Sequence, residues 1–119
     1  MEQYKLGAME SRFADLIWEN APLSSGELVR ICEKELEWKK STTYTVLRRL
    51  SDRGLFRNEN GTVTVSVSRE EFYTRQSRAY VAEAFGGSLP RFLAAFTSRE
   101  KLSDSEAAEL QALIDRSRG

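Results

Sequence analysis

The chain contains no histidine and a single cysteine, Cys32, among 119 residues. Those two absences remove the ligand sets of structural zinc, the imidazole base of a Ser-His or Cys-His catalytic arrangement, and any intrachain disulfide. No apolar run approaches the ~20 residues needed to cross a bilayer, and Met1 to Leu6 lacks the apolar core of a signal peptide. The expected setting is therefore a reducing cytoplasm without membrane insertion. Net charge is missing too, since eighteen basic and eighteen acidic side chains cancel. Without a Gly-rich phosphate loop, a metal set or an activated nucleophile, no enzyme, cofactor or metal is expected.

What is present is an uneven distribution of charge. From Trp38 to Arg57 there are six basic residues, Lys39, Lys40, Arg48, Arg49, Arg53 and Arg57, against Asp52, whereas Glu19 to Glu37 carries five acids and two bases. A neutral chain can still present one basic face.

Apolar periodicity organises the rest. Met9, Phe13, Leu16 and Ile17, with Trp18 beside them, predict a helix over 8–20 that stops before Pro22. Ser24 to Glu27 has the serine and the glutamate three residues on that reciprocally satisfy free amides, so a second helix begins there with Leu28, Ile31 and Cys32 inward. A third, over 41–53, carries Val46, Leu47 and Leu50 on one face and ends at Gly54. Its β-branched threonines are mediocre helix formers, which calls for a reason beyond propensity. The period then becomes two, with Asn60-Gly61 between Leu55-Phe56-Arg57 and Val63, Val65 and Val67, the signature of a hairpin. Further helices follow over 69–85, ended by Gly86-Gly87, over 89–97 with Pro90 in the first turn, and from the Ser103 to Glu106 capping box onward.

Three helices and a hairpin are the order of a winged helix. The expected fold is mainly α with a small β-hairpin: an N-terminal winged helix-turn-helix domain over 1–68 and a C-terminal helical dimerisation region over 69–119. A back half this small does not stabilise itself without a partner. Phe72, Tyr80, Phe85, Leu89, Phe92, Leu93, Phe96, Leu110, Leu113 and Ile114 are too many apolar residues for it to hide alone, and the nearest cover is an identical copy.

In a helix-turn-helix the second helix of the pair lies in the major groove with its N-terminal residues at base edges. Ser41, Thr42, Tyr44 and Thr45 suit base or phosphate contacts, Arg48, Arg49 and Arg53 reach phosphates, and Lys39, Lys40 and Arg57 extend the basic track. The partner this implies is a double-stranded DNA operator held by a homodimer. The alternative is a winged-helix interaction module whose basic helix binds an acidic protein. Trp18 and Trp38 are read as core aromatics, and Cys32 as a small buried hydrophobe rather than a redox switch.

Several stretches together resemble the penicillinase-repressor family of bacterial regulators: Leu16-Ile17-Trp18, Trp38 to Leu50 followed by Gly54, Phe85-Gly86-Gly87-Ser88-Leu89, and Lys101-Leu102-Ser103 leading into Glu109-Leu110. The resemblance runs from Tyr4 to Ile114. It implies a dimeric repressor of resistance or stress genes on a palindromic operator, with Ser41, Thr42, Tyr44 and Thr45 at the recognition positions. In some members a membrane sensor protease cuts the dimerising region before a phenylalanine, and the matching bond here is Ala95-Phe96. Alanine stands where the best-known cleaved members have asparagine. The C-terminal cysteine pair of copper-responsive relatives is missing, which argues against metal sensing, and the wing is short.

Overall fold

Six helices and three short strands follow one another in a computed structural model that describes residues 5–119; the reading of Met1 to Leu6 and the Tyr4 end of the resemblance fall wholly or partly outside these. The elements are α1 (Ala8–Asn20), β1 (Leu23–Ser24), α2 (Ser25–Leu36), α3 (Lys40–Asp52), β2 (Phe56–Glu59), β3 (Thr62–Val65), α4 (Arg69–Phe85), α5 (Leu89–Phe96) and α6 (Asp104–Ser117). Helix bounds follow the caps that the local sequence encodes. Ser24 Oγ accepts the Glu27 amide at 3.0 Å, Ser68 Oγ the Glu71 amide at 3.1 Å, and Ser88 Oγ the Arg91 amide at 3.2 Å. Ser103 and Glu106 form a complete capping box, each bond satisfying an amide that the first turn leaves free. Gly54, at φ +85°, closes α3, and the Leu55 amide reaches back to the Leu50 carbonyl at 3.1 Å in a Schellman-type stop.

The hairpin turns on Asn60 and Gly61, at φ 52° and 80°, the left-handed pair that matches strand twist in a two-residue turn. Strands β2 and β3 pair antiparallel with Phe56 opposite Val65 and Glu59 opposite Thr62. A third strand was not expected. Leu23 and Ser24 pair antiparallel with Val63 and Thr62, making a sheet in the order β1-β3-β2. A two-residue strand is too short for alternation to reveal it. Of the alternating valines only Val63 is fully buried, while Val65 remains 38 % exposed.

The chain divides into two compact units, one ending at Ala79 and the other running Tyr80–Gly119. Helix α4 contributes to both units, its first turns, with Phe72, to the first. Placed by its sequence setting among the dimerising residues, Phe72 instead lies 1 % exposed in the core of the first unit, with Phe13, Ile17, Leu28, Leu47, Leu50, Phe56 and Val63.

Both tryptophans pack against that core. Trp38 stacks on Phe13 with ring centroids 5.3 Å apart. Trp18 lies 5.6 Å from Phe56, 5.8 Å from Phe72 and 6.1 Å from Tyr73, and its indole N–H donates to the Val67 carbonyl at 3.0 Å. Arg69 covers the indole at 5.7 Å and pairs with Asp15 at 3.1 Å and Glu19 at 3.4 Å. One side chain of α1 thereby joins the hairpin and the start of α4.

The second unit differs in kind. No residue of α5 or α6 is buried among the described residues. Tyr80, Phe85, Phe92 and Phe96 form a chain of ring contacts 5.5–6.2 Å apart, but Phe96 stays 71 %, Leu89 56 %, Leu113 49 % and Ile114 45 % exposed.

Both tryptophans report on the first unit alone, so its stability can be read separately by fluorescence during urea unfolding. Phe13→Ala is expected to lower it by about 3–5 kcal/mol, through lost burial plus the cavity left beneath Trp38.

Candidate nucleic-acid interface

Helix α3 has a wet side and a dry side, and its threonines divide between them. Thr43 is 1 % exposed, its hydroxyl donating to the Lys39 carbonyl at 3.2 Å, in the same face as Val46, Leu47 and Leu50. Spaced by one and two turns, Ser41, Thr45 and Arg48 fall on the opposite side and are exposed, with Asp52 one turn further on. Thr42 is exposed as well, and Lys39 and Lys40 are exposed at the helix entry. The Thr45 hydroxyl donates to the Ser41 carbonyl at 2.9 Å, which leaves its lone pairs and methyl facing outward.

The other predicted side chains are engaged within the protein. Tyr44 is half-buried and its hydroxyl donates to Ser25 Oγ at 3.0 Å, bracing α3 against the start of α2. Arg49 donates to Glu10 of α1 at 3.1 Å, and Arg53 to the Lys5 carbonyl at 2.6 Å. Arg57, on the hairpin, faces Glu59 at 3.7 Å with both side chains about two-thirds exposed, a pair too wet to hold firmly. The outward strip is therefore narrower than the ten residues expected from sequence: Ser41, Thr42, Thr45 and Arg48 with two lysines, flanked by Arg49 and Arg53, which Glu10 and the Lys5 carbonyl engage, and by the loosely paired Arg57.

Glu10 was not legible as part of this face. Its carboxylate accepts the Gly7 amide at 3.0 Å as well as the Arg49 guanidinium. The Gly7 hydrogen bond, with Arg49 and the charge of Arg53 behind it, holds its pKa below the ordinary value in spite of partial burial. An i,i+3 reach to Gly7 is a recognisable cap pattern, but the contact from residue 10 to residue 49 leaves no local trace.

Cys32 lies at 0 % exposure. Burial pushes its thiol up to about 11, opposed by a hydrogen bond with Thr43, so no reactive thiolate forms near neutrality. No group of three or more His, Cys, Asp or Glu side chains is arranged to hold a metal among the described residues, and no described helix is long and apolar enough to cross a membrane.

With that geometry in view, a family model for the penicillinase repressor matches residues 6–116. The chain belongs to the penicillinase repressor family. It is 23 % identical over 104 residues to the penicillinase repressor of Bacillus licheniformis, a match covering 84 % of this chain and 81 % of that protein. To the methicillin resistance regulatory protein MecI of Staphylococcus aureus it is 19 % identical over 117 residues, 95 % of each chain. Penicillinase repressor family members are transcriptional regulators and not enzymes. Membership, together with three helices, a hairpin and a small antiparallel sheet, makes this chain a winged-helix transcriptional repressor.

Two outcomes follow from the titrating groups. Because the folded pKa of Glu10 is depressed, its contribution is complete above the ordinary value of 4.5 and is lost as pH falls through the folded value. Glu10→Gln should therefore cost up to about 1 kcal/mol at pH 7, as a partly exposed pair allows, and the difference in urea stability from the native chain should shrink as pH falls below the ordinary carboxylate value. For Cys32 the folded state holds its proton longer than the unfolded state does. Stability should accordingly fall as pH rises from about 9 towards about 11, and a Cys32→Ala variant should lose that fall; thiol labelling at pH 8 should require unfolding.

Proposed function

We propose that this chain represses transcription as a homodimer bound to a two-fold operator in double-stranded DNA. The observation that carries the DNA half is the outward strip of α3: hydroxyls at Ser41, Thr42 and Thr45 and the guanidinium of Arg48 stand exposed on a helix whose other side is locked into a core. Small hydroxylated side chains near a recognition-helix N-terminus approach base edges closely, and a threonine methyl packs on the thymine methyl. Lys39, Lys40, Arg49, Arg53 and Arg57 supply positive charge alongside for phosphates. Arg49 keeps guanidinium donors beyond the one given to Glu10, so a carboxylate behind it orients the group without consuming it.

The dimer half is supported by the second unit's unfilled apolar surface. A concavity of about 450 Å³ between α5 and α6 is lined by Phe92, Leu93, Phe96, Leu102, Leu110 and Leu113 among others. Apolar surface of this kind is covered most simply by the same surface of a second copy. Two half-site contacts joined in one particle gain affinity through effective concentration. The resistance relatives make genes of that class the expected targets. A sensor protease that cut Ala95-Phe96, in the last turn of α5, would sever this surface and release the operator; Phe96 is exposed there.

Light scattering at micromolar concentration should give twice the mass of the 13.6 kDa chain. Binding to a duplex carrying its operator should weaken by orders of magnitude between about 50 and 200 mM salt. Thr45→Ala should cut discrimination against random duplex by about 1–3 kcal/mol, while Arg49→Ala weakens both similarly. A monomeric mass, salt-independent binding, or equal losses on both duplexes for Thr45→Ala would overturn the corresponding part of this reading.

A further inference from the structure

Between α3 and β2 runs a groove of about 420 Å³ lined by Tyr44, Leu47, Arg48, Ser51 and Asn58. Three of these five carry polar groups with no partner among the described residues. Ser51 Oγ is buried and meets no hydrogen-bond partner among the described residues, a condition that folded proteins rarely leave in place without a use. Arg48 is exposed and makes no hydrogen bond or ion pair among the described residues, whereas Arg49, Arg53 and Arg57 each do. Asn58 sits on β2 opposite Val63 in the backbone register, and its side-chain amide is likewise unengaged among the described residues.

The groove therefore offers a cation, a hydroxyl and a carboxamide, with no carboxylate in its lining. That combination suits a ligand that carries negative charge and only accepts hydrogen bonds, which is the description of a phosphodiester oxygen. The remaining walls are Leu47 and the Tyr44 ring, whose hydroxyl is already spent on Ser25. They provide an apolar surface of the kind a deoxyribose ring packs against. Arg48 also belongs to the outward strip with Ser41 and Thr45, so a strand lying along that strip passes the mouth of the groove.

We propose that this groove seats one sugar-phosphate unit of the bound duplex: Arg48 holds the phosphate, Ser51 and Asn58 donate to its oxygens, and Leu47 and Tyr44 pack on the sugar. The seat rests on the DNA-binding reading of α3 and adds Ser51 and Asn58 to the residues that carry it. Rotation about the Cα–Cβ bond is the least costly way for the Ser51 hydroxyl to reach an acceptor in the groove. Being a backbone contact, the seat positions α3 without reading sequence.

The test uses the full-length protein with a labelled random-sequence duplex at two salt concentrations, because a phosphate contact is independent of sequence. Ser51→Ala and Asn58→Ala should each weaken duplex binding about tenfold, as for lost hydrogen bonds to a charged group. Arg48→Gln should weaken it further and lower the salt slope by about one. Ser51→Ala should leave the melting temperature unchanged or raised, since it removes an orphaned polar atom, and this separates a binding role from a structural one. Native-strength binding by both alanine variants would overturn the seat while leaving the repressor reading intact. Absence of salt-dependent duplex binding by the unaltered protein would overturn both. Titration with inorganic phosphate and with thymidine monophosphate forms the control arm. Saturable millimolar shifts of the Asn58 amide resonance, with duplex binding untouched by the variants, would assign the groove to a free anion and overturn the proposal.

Discussion

Trp18 is the point on which the winged-helix unit turns. A single indole of α1 touches the first strand of the hairpin and the first turn of α4, donates its N–H to the carbonyl that follows β3, and lies under a guanidinium that is itself held by two carboxylates of α1. Aromatic burial supplies much of the adhesion, and the buried N–H finds an acceptor that fixes the orientation of the ring. A hairpin with only one two-residue strand beside it has little pairing of its own to rely on, and the indole ties it to α1 and to the Phe72 turn of α4. The same junction explains why the compact unit extends past the hairpin into α4.

Against this frame α3 is rigid enough to sort its own side chains. Consecutive threonines meet opposite fates because a helix turns about 100° per residue: Thr43 goes into the core beside Cys32, and Thr42 and Thr45 into solvent. Helix propensity disfavours such a run, and a tertiary demand overrides it. On one flank Glu10 and the Lys5 carbonyl hold two arginines, and on the other Ser25 holds Tyr44. Contacts of this kind order long side chains before any ligand arrives, which reduces the entropy lost on binding.

The second unit follows another logic. It has regular helices, a capping box and a chain of aromatic contacts, yet it closes no core of its own. Forty residues with this much apolar exposure are below the size at which a core stabilises itself. The difference between the units is one of completeness: the first hides its large side chains, and the second presents them.

Helix limits, the tight turn at Asn60-Gly61, the inward stripe of α3, the burial of Cys32 and the family resemblance were all legible in the linear chain, because caps, periodicity and left-handed turn residues act over four or five positions. The winged helix followed from their order. Long-range facts were not legible. Strand β1 exists only because β3 lies beside it, Phe72 packs into the front core beside Trp18, and Glu10 meets Arg49 across thirty-nine positions. That Arg49 is engaged and Arg48 is not, and that Ser51 Oγ has no partner among the described residues, depends on what each side chain encounters once the elements pack. Local chemistry decides where elements begin and end, whereas the partners of a charged or polar side chain are set by distances that only the folded chain defines.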